Sequence, residues 1–240
     1  MKNLFIHSII LLSLISCQSN SDKARSIVQK SIEVHGGKKY ENFTAEFDFR
    51  KFHIKLSQEN GRFQYERISK DSARNDIWDI VNNDVFLRII NGNQVTLSAK
   101  DIEKYKNAVN SVAYFVLLPY KLQDKAVNLA YVGEITLANK KYDKVKVWFN
   151  KEGGGKDFED VYCYWFDQQT HTLDYIAYTN GGPRFRRVKN RQTLGGIIFQ
   201  DYENFAITDT TLQAIDYDKA FLAGKDSLLS LIEQKNIVVK

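Results

Sequence analysis

The chain has 240 residues, 43% of them hydrophobic, and at this size a buried core can stabilise a fold without disulfide bonds. Its 13 Tyr, 15 Phe and 3 Trp residues, together with frequent β-branched residues, favour strands over helices. The net charge of +5 indicates an anionic neighbour, of which a phospholipid surface is the simplest.

The N-terminus carries the pattern of a bacterial export signal. Lys2 precedes an apolar stretch from Leu4 to Ile15, which is shorter than the ~20 residues of a membrane-spanning helix. The stretch ends in Leu-Ile-Ser-Cys, which resembles the lipobox of bacterial lipoproteins, where the cysteine thiol receives a diacylglycerol. We therefore predict a signal peptide over residues 1–16, lipidation of Cys17 and a polar tether over 17–21. An ordinary cleaved signal with a chance cysteine is the alternative.

This leader sets expectations for location and partners. No acidic run follows Cys17, so we expect a lipid-anchored protein of the cell envelope, on the outer membrane and facing the periplasm. Export excludes nucleic acid as a partner. With Cys17 bound to lipid, Cys163 is left alone and no intramolecular disulfide can form.

Residues 22–240 contain no linker-like stretch and no internal repeat, so we predict one domain. Apolar residues at helical spacing predict a helix over 22–36, capped by Ser21 or Asp22 and ended by Gly36-Gly37. The period then changes to two, as in a half-buried strand. Turn residues separate the following segments and predict an antiparallel meander over 43–49, 52–57, 62–69, 74–81 and 84–90.

A second helix is predicted from Ser98, with Asp101 as its first-turn partner, to about Leu118, where Pro119 ends it. Its second half, from Val112 on, is apolar on all sides, so it must be covered on several faces or must itself cover something. Residues 217–235 are predicted to be helical or irregular, with a frayed end. Between these regions, strands are predicted at 127–137, 142–149, 161–167, 172–179, 184–189 and 196–207.

Two charged segments are candidate binding sites. After the glycines 153–155, the carboxylates of Asp157, Glu159 and Asp160 could hold a hard cation such as Ca²⁺, with a solvated turn as the alternative. The segment 184–187, Arg-Phe-Arg-Arg, could pair with that loop or bind an anionic head group, with a solvated basic strand as the alternative.

Other reactive side chains predict no catalytic or metal site. Hydrolase, zinc-protease and phosphate-loop motifs are absent from the sequence, so no catalytic residue and no cofactor is predicted. The histidines lack metal-ligand spacing, and His35 is expected to interact with the carbonyls at its helix end. Cys163 is expected to be a buried, inert thiol.

Several segments together resemble an uncharacterised bacterial lipoprotein family, and the likeness spans about residues 24–205. They are His35-Gly36-Gly37, Ser111 to Pro119, Gly153 to Asp157 continuing through Tyr162 to Trp165, and Gly181 to Arg186. The layout of an N-terminal helix, a curved antiparallel sheet and a central helical lid is similar to the LolA/LolB type of lipoprotein carrier and receptor. That resemblance implies an apolar cavity under the lid that holds acyl chains, although no carrier-specific motif transfers residue by residue.

We therefore expect a mainly β (α+β) fold: a curved, antiparallel, incomplete β-barrel with an N-terminal helix and a central helical lid. The predicted function is non-catalytic binding of a lipid or lipoprotein acyl chain by a monomer. The alternatives are an envelope enzyme that uses the 157–160 loop and the 184–187 arginines, and a structural protein with a filled barrel. Candidate cavity residues are Phe47, Phe49, Tyr114, Phe115, Leu118, Trp148, Trp165 and Phe185, and candidate anion ligands are Arg184, Arg186 and Arg187.

Overall fold

The structure is a computed structural model and describes residues 19–155 and 158–240. The predicted signal peptide lies outside the described residues, as do Cys17 and Gln18 of the predicted tether and Asp157 of the acidic loop. Within the described residues, no helix combines the length and hydropathy needed to cross a bilayer.

The N-terminal helix α1 (Asn20–His35) confirms the first predicted helix. It begins two residues earlier than predicted because its cap is Ser19, whose Oγ accepts the backbone N–H of Asp22 at 3.1 Å. It ends before Gly37, whose φ of 51° is the left-handed conformation that glycine adopts without strain. The buried stripe of α1 faces the strands that follow.

The central helix α2 (Ala99–Val116) confirms the second predicted helix. Ser98 caps it, accepting the backbone N–H of Asp101 at 3.2 Å. The helix stops ahead of Pro119, and a short 3₁₀ turn (Tyr120–Gln123) then leads back into the strands. A third, short helix, α3 (Tyr217–Leu222), lies near the C-terminus.

Fourteen strands are formed by the described residues. The predicted strands lie within two residues of the observed ones, except that β11 runs on to Leu194. The strands are β1 (Asn42–Phe49), β2 (Phe52–Glu59), β3 (Arg62–Lys70), β4 (Asp76–Asn82), β5 (Phe86–Ile90), β6 (Asn93–Gln94), β7 (Val127–Leu137), β8 (Lys140–Phe149), β9 (Tyr162–Asp167), β10 (Leu173–Tyr178), β11 (Arg184–Leu194), β12 (Ile197–Ile207), β13 (Asp226–Ile232) and β14 (Gln234–Val239).

The strands form two antiparallel sheets of seven strands each. Sheet A has the order β14-β1-β2-β3-β4-β5-β6, and sheet B has the order β13-β12-β11-β10-β9-β8-β7. Most neighbouring strands are consecutive in the chain, as short turns require. The two sheets do not close on each other, which confirms the predicted incomplete barrel.

The C-terminal segment corrects the sequence prediction. Residues 226–239 are not helical or irregular but form two strands, and β13 pairs with β12 while β14 pairs with β1. Only Glu233 separates the two strands, so this segment joins the edges of the two sheets. At the junction, the Gln234 backbone N–H donates to Asp201 at 2.9 Å and the Gln234 amide donates to the Gln200 carbonyl at 2.8 Å. The C-terminal end is therefore not frayed, as predicted, but links the two sheets.

The apolar side chains form two cores. The inter-sheet core lies between sheets A and B beneath α1 and α2, and includes Phe47, Val145 and Phe199. The outer core lies on the opposite face of sheet B and includes Trp165 and Tyr217 of α3. The middle of sheet B is therefore buried on both faces, which explains why β9 is apolar from Tyr162 to Phe166.

Candidate ligand-binding site

The central helix α2 is held against sheet A by a buried charge cluster at its N-terminal half. Asp79 of β4 accepts hydrogen bonds from Arg88 Nε at 2.6 Å and from Arg67 Nη2 at 2.8 Å. The Arg88 guanidinium in turn lies 3.2 Å from the centre of the Tyr105 ring of α2. We call Arg67, Asp79 and Arg88 the helix anchor, because this chain of contacts ties α2 to the sheet.

The C-terminal half of α2 borders a cavity of about 420 Å³, within the ~300–1,000 Å³ typical of small-molecule sites. Its walls come from α2, from β3 of sheet A and from the middle strands of sheet B, and aromatic rings dominate them. The lining residues are Phe63, Tyr65, Asn107, Asn110, Ser111, Tyr114, Phe115, Leu118, Lys121, Asp124, Ala126, Val127, Phe149, Gly153, Gly154, Gly155, Tyr162, Tyr164, Ile176, Tyr178 and Arg186.

Three charged residues lie on the cavity wall. Lys121 and Asp124 form an ion pair of 2.9 Å and compensate each other. Arg186 of β11 forms no ion pair with any described residue: its Nη2 donates to the Tyr178 hydroxyl, and its buried Nε has no hydrogen-bond partner. The guanidinium lies between two rings, 4.5 Å from the centre of Phe115 and 4.8 Å from that of Tyr178.

Buried tyrosine hydroxyls supply the other polar atoms of the cavity. The hydroxyl of Tyr114 is buried and has no hydrogen-bond partner among the described residues. Burial raises the pKa of Tyr114 well above its usual value, so the group stays protonated and can donate. Burial also raises the pKa of Tyr164, while the charge of Arg186 opposes that shift. The cavity therefore combines apolar walls with hydrogen-bond donors that are not yet used.

The structure separates the three candidate arginines. Arg184 donates to the carbonyls of Pro183 and Gly181, at 3.0 and 2.9 Å. Arg187 points to the other face of β11 and pairs with Glu203 at 2.6 Å. Of the three, only Arg186 lines the cavity.

The candidate aromatic residues are divided between the cavity and the two cores. Tyr114, Phe115 and Leu118 line the cavity, where the sequence predicted them. Phe47 and Phe49 are buried in the inter-sheet core and are not part of the cavity lining. Phe49 nevertheless supports the wall from behind, because its ring centre lies 6.3 Å from that of Phe115.

Three of the candidate cavity residues lie on the wrong face of sheet B. Trp165 and Phe185 are fully buried in the outer core, with ring centres 5.3 Å apart, and Trp165 Nε1 donates to Asp218 of α3 at 3.0 Å. Trp148 alternates with the inward-facing Val147 and is half-buried outside the inter-sheet core. The prediction that these three side chains face the cavity is wrong, because side chains on a strand alternate between faces.

The sequence prediction also missed several wall residues: Tyr65, Phe149, Tyr162, Tyr164 and Tyr178. The period-two spacing of Tyr162 and Tyr164 was a usable signal, since it places both rings on one face of β9. Which face is inward depends on the packing of α3 against the other side, and that contact is not local in sequence.

The acidic loop is only partly described. Asp157 lies outside the described residues, Glu159 is exposed and Asp160 is half-buried. Within residues 19–155 and 158–240, no cluster of three His, Cys, Asp or Glu side chains is arranged to hold a metal ion. The predicted Ca²⁺ site stays a prediction.

His35 and Cys163 have structural surroundings. Burial, together with the nearby charge of Arg191, lowers the pKa of His35 to about 3. Its Nε2 accepts the backbone N–H of Leu173 at 3.1 Å, so the neutral ring joins α1 to β10. The predicted contact with helix-end carbonyls is therefore wrong. Cys163 is buried, and burial raises the pKa of its thiol, as expected of an inert cysteine.

A second concavity, of about 550 Å³, lies at the end of sheet A where β1 and β3 begin and β2 and β4 end. Its lining is more polar than that of the cavity under α2, and its charged members include Glu59, Arg62 and Lys240. Nothing about it favours an apolar ligand.

Comparison with known proteins supports the fold. The model of a family of unknown function, DUF6503, matches residues 2–234. A search of the curated proteins found no significant match. The solved structure of a LolA superfamily protein from Nitrosomonas europaea covers 89% of this chain and 92% of its own, with 7% identity and a TM-score of 0.50. The solved structure of a domain named for outer-membrane lipoprotein sorting, from Vibrio parahaemolyticus, covers 92% of this chain and 94% of its own. The identity is 8% and the TM-score is 0.48. The predicted LolA-like fold is confirmed.

Proposed function

We propose that this chain, which belongs to the family of unknown function DUF6503, binds a lipid or lipoprotein acyl chain in the cavity under α2 without catalysing a reaction. The observation that carries the proposal is the cavity of about 420 Å³ between α2 and the two sheets, with its aromatic walls. A hydrocarbon chain that leaves water for such a site gains about 0.8 kcal/mol for each buried methylene.

The uniform hydrophobicity of the end of α2 supports this proposal. Ala113 and Val116 are buried against the protein, while Tyr114 and Phe115, on the neighbouring face, are half-buried and border the cavity. Helix residues that contact protein on one side and empty apolar space on the other need a second apolar partner. An acyl chain supplies that partner.

The enzyme alternative receives less support. It requires the acidic loop and the arginines at 184–187 to converge, but Arg184 and Arg187 are engaged elsewhere, with backbone carbonyls and with Glu203. Tyr114 and Tyr164 of the cavity keep their protons at neutral pH, because burial raises their pKa values. They suit hydrogen-bond donation to a ligand better than general-base chemistry.

The structural alternative predicts a barrel filled by its own side chains. Side chains fill the inter-sheet core around Phe47 and Phe199, whose ring centres are 6.5 Å apart. Beneath the end of α2, in contrast, side chains leave the space open. A concavity of this size that opens to solvent can admit a ligand.

Binding can be tested by obstructing the cavity. Ser111 is exposed on α2 and borders the cavity, so Ser111→Trp should place an indole at its mouth. The full chain carrying Cys17→Ser, which cannot take the proposed anchor, should bind a fluorescent fatty acid and carry lipid in native mass spectrometry. Ser111→Trp should lower the affinity for the probe by about tenfold, equivalent to about 1.4 kcal/mol.

The matched control for that variant is Glu103→Trp, which adds the same indole to an exposed position of α2 away from the cavity. It should leave the affinity unchanged. A parent chain that carries no lipid and takes up no probe would exclude the proposed function.

We also propose that Cys17 anchors the protein to a membrane of the cell envelope, and the outer membrane facing the periplasm is the location we favour. The support is the Leu-Ile-Ser-Cys sequence at the end of the predicted signal peptide. Cells supplied with labelled palmitate should label the wild-type protein but not Cys17→Ser. Equal labelling of the two proteins would disprove the anchor. Several acyl chains on one cysteine hold a protein on a bilayer stably.

A further inference from the structure

We propose that the ligand carries an oxyanion head group, a carboxylate or a phosphate, and that Arg186 binds it. The inference rests on the proposed function, because it specifies the class of lipid that occupies the same cavity. It adds a prediction of selectivity: the cavity distinguishes charged from neutral lipids that have identical chains.

The other three arginines of β11 have partners within the protein. Arg187 pairs with Glu203, and Arg191 pairs with Asp174. Arg184 is held by two backbone carbonyls. Arg186 differs from these neighbours, because no described carboxylate or carbonyl accepts from it. Its one hydrogen bond to a described residue goes to the hydroxyl of Tyr178.

A guanidinium has five N–H donors and keeps its charge at any physiological pH. In Arg186 one donor contacts Tyr178, while the buried Nε–H has no partner in the part of the chain that the structure describes. Removing such a group from water without a replacement hydrogen bond is unfavourable. An anion in the cavity would satisfy the remaining donors and the charge together.

The rings around Arg186 fix the orientation of its guanidinium group, whose N–H donors form a planar fork. Phe115 and Tyr178 hold the guanidinium carbon at 4.5 and 4.8 Å from their centres. A planar guanidinium held in this way presents two parallel N–H groups, the geometry that binds a carboxylate or a phosphate through two oxygens. Phe115 belongs to α2. The helix that covers the proposed acyl chain therefore also positions Arg186, which would bind the head group.

A second unused donor lies in the same cavity. The Tyr114 hydroxyl is buried, has no partner within residues 19–155 and 158–240, and remains protonated. Tyr114 and Arg186 both line this cavity, together with the buried ring of Tyr164. Among the described residues that line the cavity, Asp124 is the one carboxylate, and Lys121 neutralises its charge. The cavity therefore offers donors and a positive charge to an anion.

Three lipids with the same palmitoyl chain test the inference on the full chain carrying Cys17→Ser: palmitate, palmitoyl lysophosphatidic acid and neutral monopalmitoylglycerol. Calorimetry should show at least about tenfold tighter binding of one or both anions than of the neutral lipid, as charge-assisted hydrogen bonds predict. The tighter of the two anions identifies the head group as carboxylate or phosphate.

Variants of Arg186 then locate the selectivity. Arg186→Gln should abolish the preference for anions while leaving the affinity for monopalmitoylglycerol within about twofold. Arg186→Lys should retain part of the preference, since it keeps the charge but loses the fork. Arg187→Gln, on the same strand but the opposite face, should keep the full preference.

The outcomes separate the two proposals. If no lipid binds the parent chain, the proposed function fails and this inference fails with it. If all three lipids bind equally, binding stands and the anion site is wrong, and this result does not depend on whether any variant folds. An anion preference that survives in Arg186→Gln would also overturn the assignment to Arg186.

Discussion

Replacing Asp79 with alanine should lower the free energy of unfolding by about 3–5 kcal/mol, the usual cost of removing one partner from a buried ion pair. The carboxylate is 1% exposed and compensates two guanidinium groups that are themselves only 13% and 10% exposed, those of Arg67 and Arg88. Without Asp79 both charges stay buried and uncompensated. Urea denaturation of the wild type and the variant measures the difference.

Two further variants define the cause of this loss. Asp76→Ala on the same strand removes an exposed ion pair with Lys70 and should change stability little. Replacing the whole helix anchor, with Asp79→Leu, Arg67→Met and Arg88→Met together, should recover most of the stability, because no unpaired charge remains. If Asp79→Ala costs no more than Asp76→Ala, the cluster does not hold α2 to the sheet.

The order and type of most elements could be predicted from sequence because their signals are local. The cap at Ser98, the stop at Pro119 and the alternation through β1 each depend on neighbouring residues. The C-terminal strands carry no such signal. Leu228, Leu229 and Leu231 of β13 are all exposed, so its apolar residues do not alternate, and β14 pairs with β1 almost 200 residues away in the chain. Non-local pairing of this kind does not appear in a sequence window.

The candidate site was only partly predictable for a related reason. Alternation along β11 separates Arg184 and Arg186 from Phe185 and Arg187, but it does not say which set faces inward. Burial on both sides of sheet B removes the usual polar face, and the cover on the outer side, α3, lies about 30 residues further along the chain. The sequence prediction therefore places Trp165 and Phe185 on the wrong face, whereas Phe115 of α2 does line the cavity.

Truncating an aromatic residue in the filled core should cost more than truncating one at the cavity. Phe47 is fully buried in the inter-sheet core, so Phe47→Ala should lower the free energy of unfolding by about 3–5 kcal/mol. Phe115 is half-buried and borders open space, so Phe115→Ala should remove fewer contacts and cost less. Chemical denaturation of both variants without added lipid measures this difference.

Added lipid should reverse the order of the two effects. A ligand that binds only the folded state stabilises it by mass action, by about 2.7 kcal/mol at a hundredfold excess over its dissociation constant. Palmitate should still stabilise Phe47→Ala, because the cavity wall of that variant is intact. It should stabilise Phe115→Ala much less, because that variant lacks the ring that would contact the acyl chain and that lies against Arg186. Equal stability losses in the two variants, with no stabilisation by palmitate in either, would mean that the space beneath α2 belongs to a packed core. A smaller loss in Phe115→Ala together with a lost response to palmitate is the combination that only a ligand cavity produces.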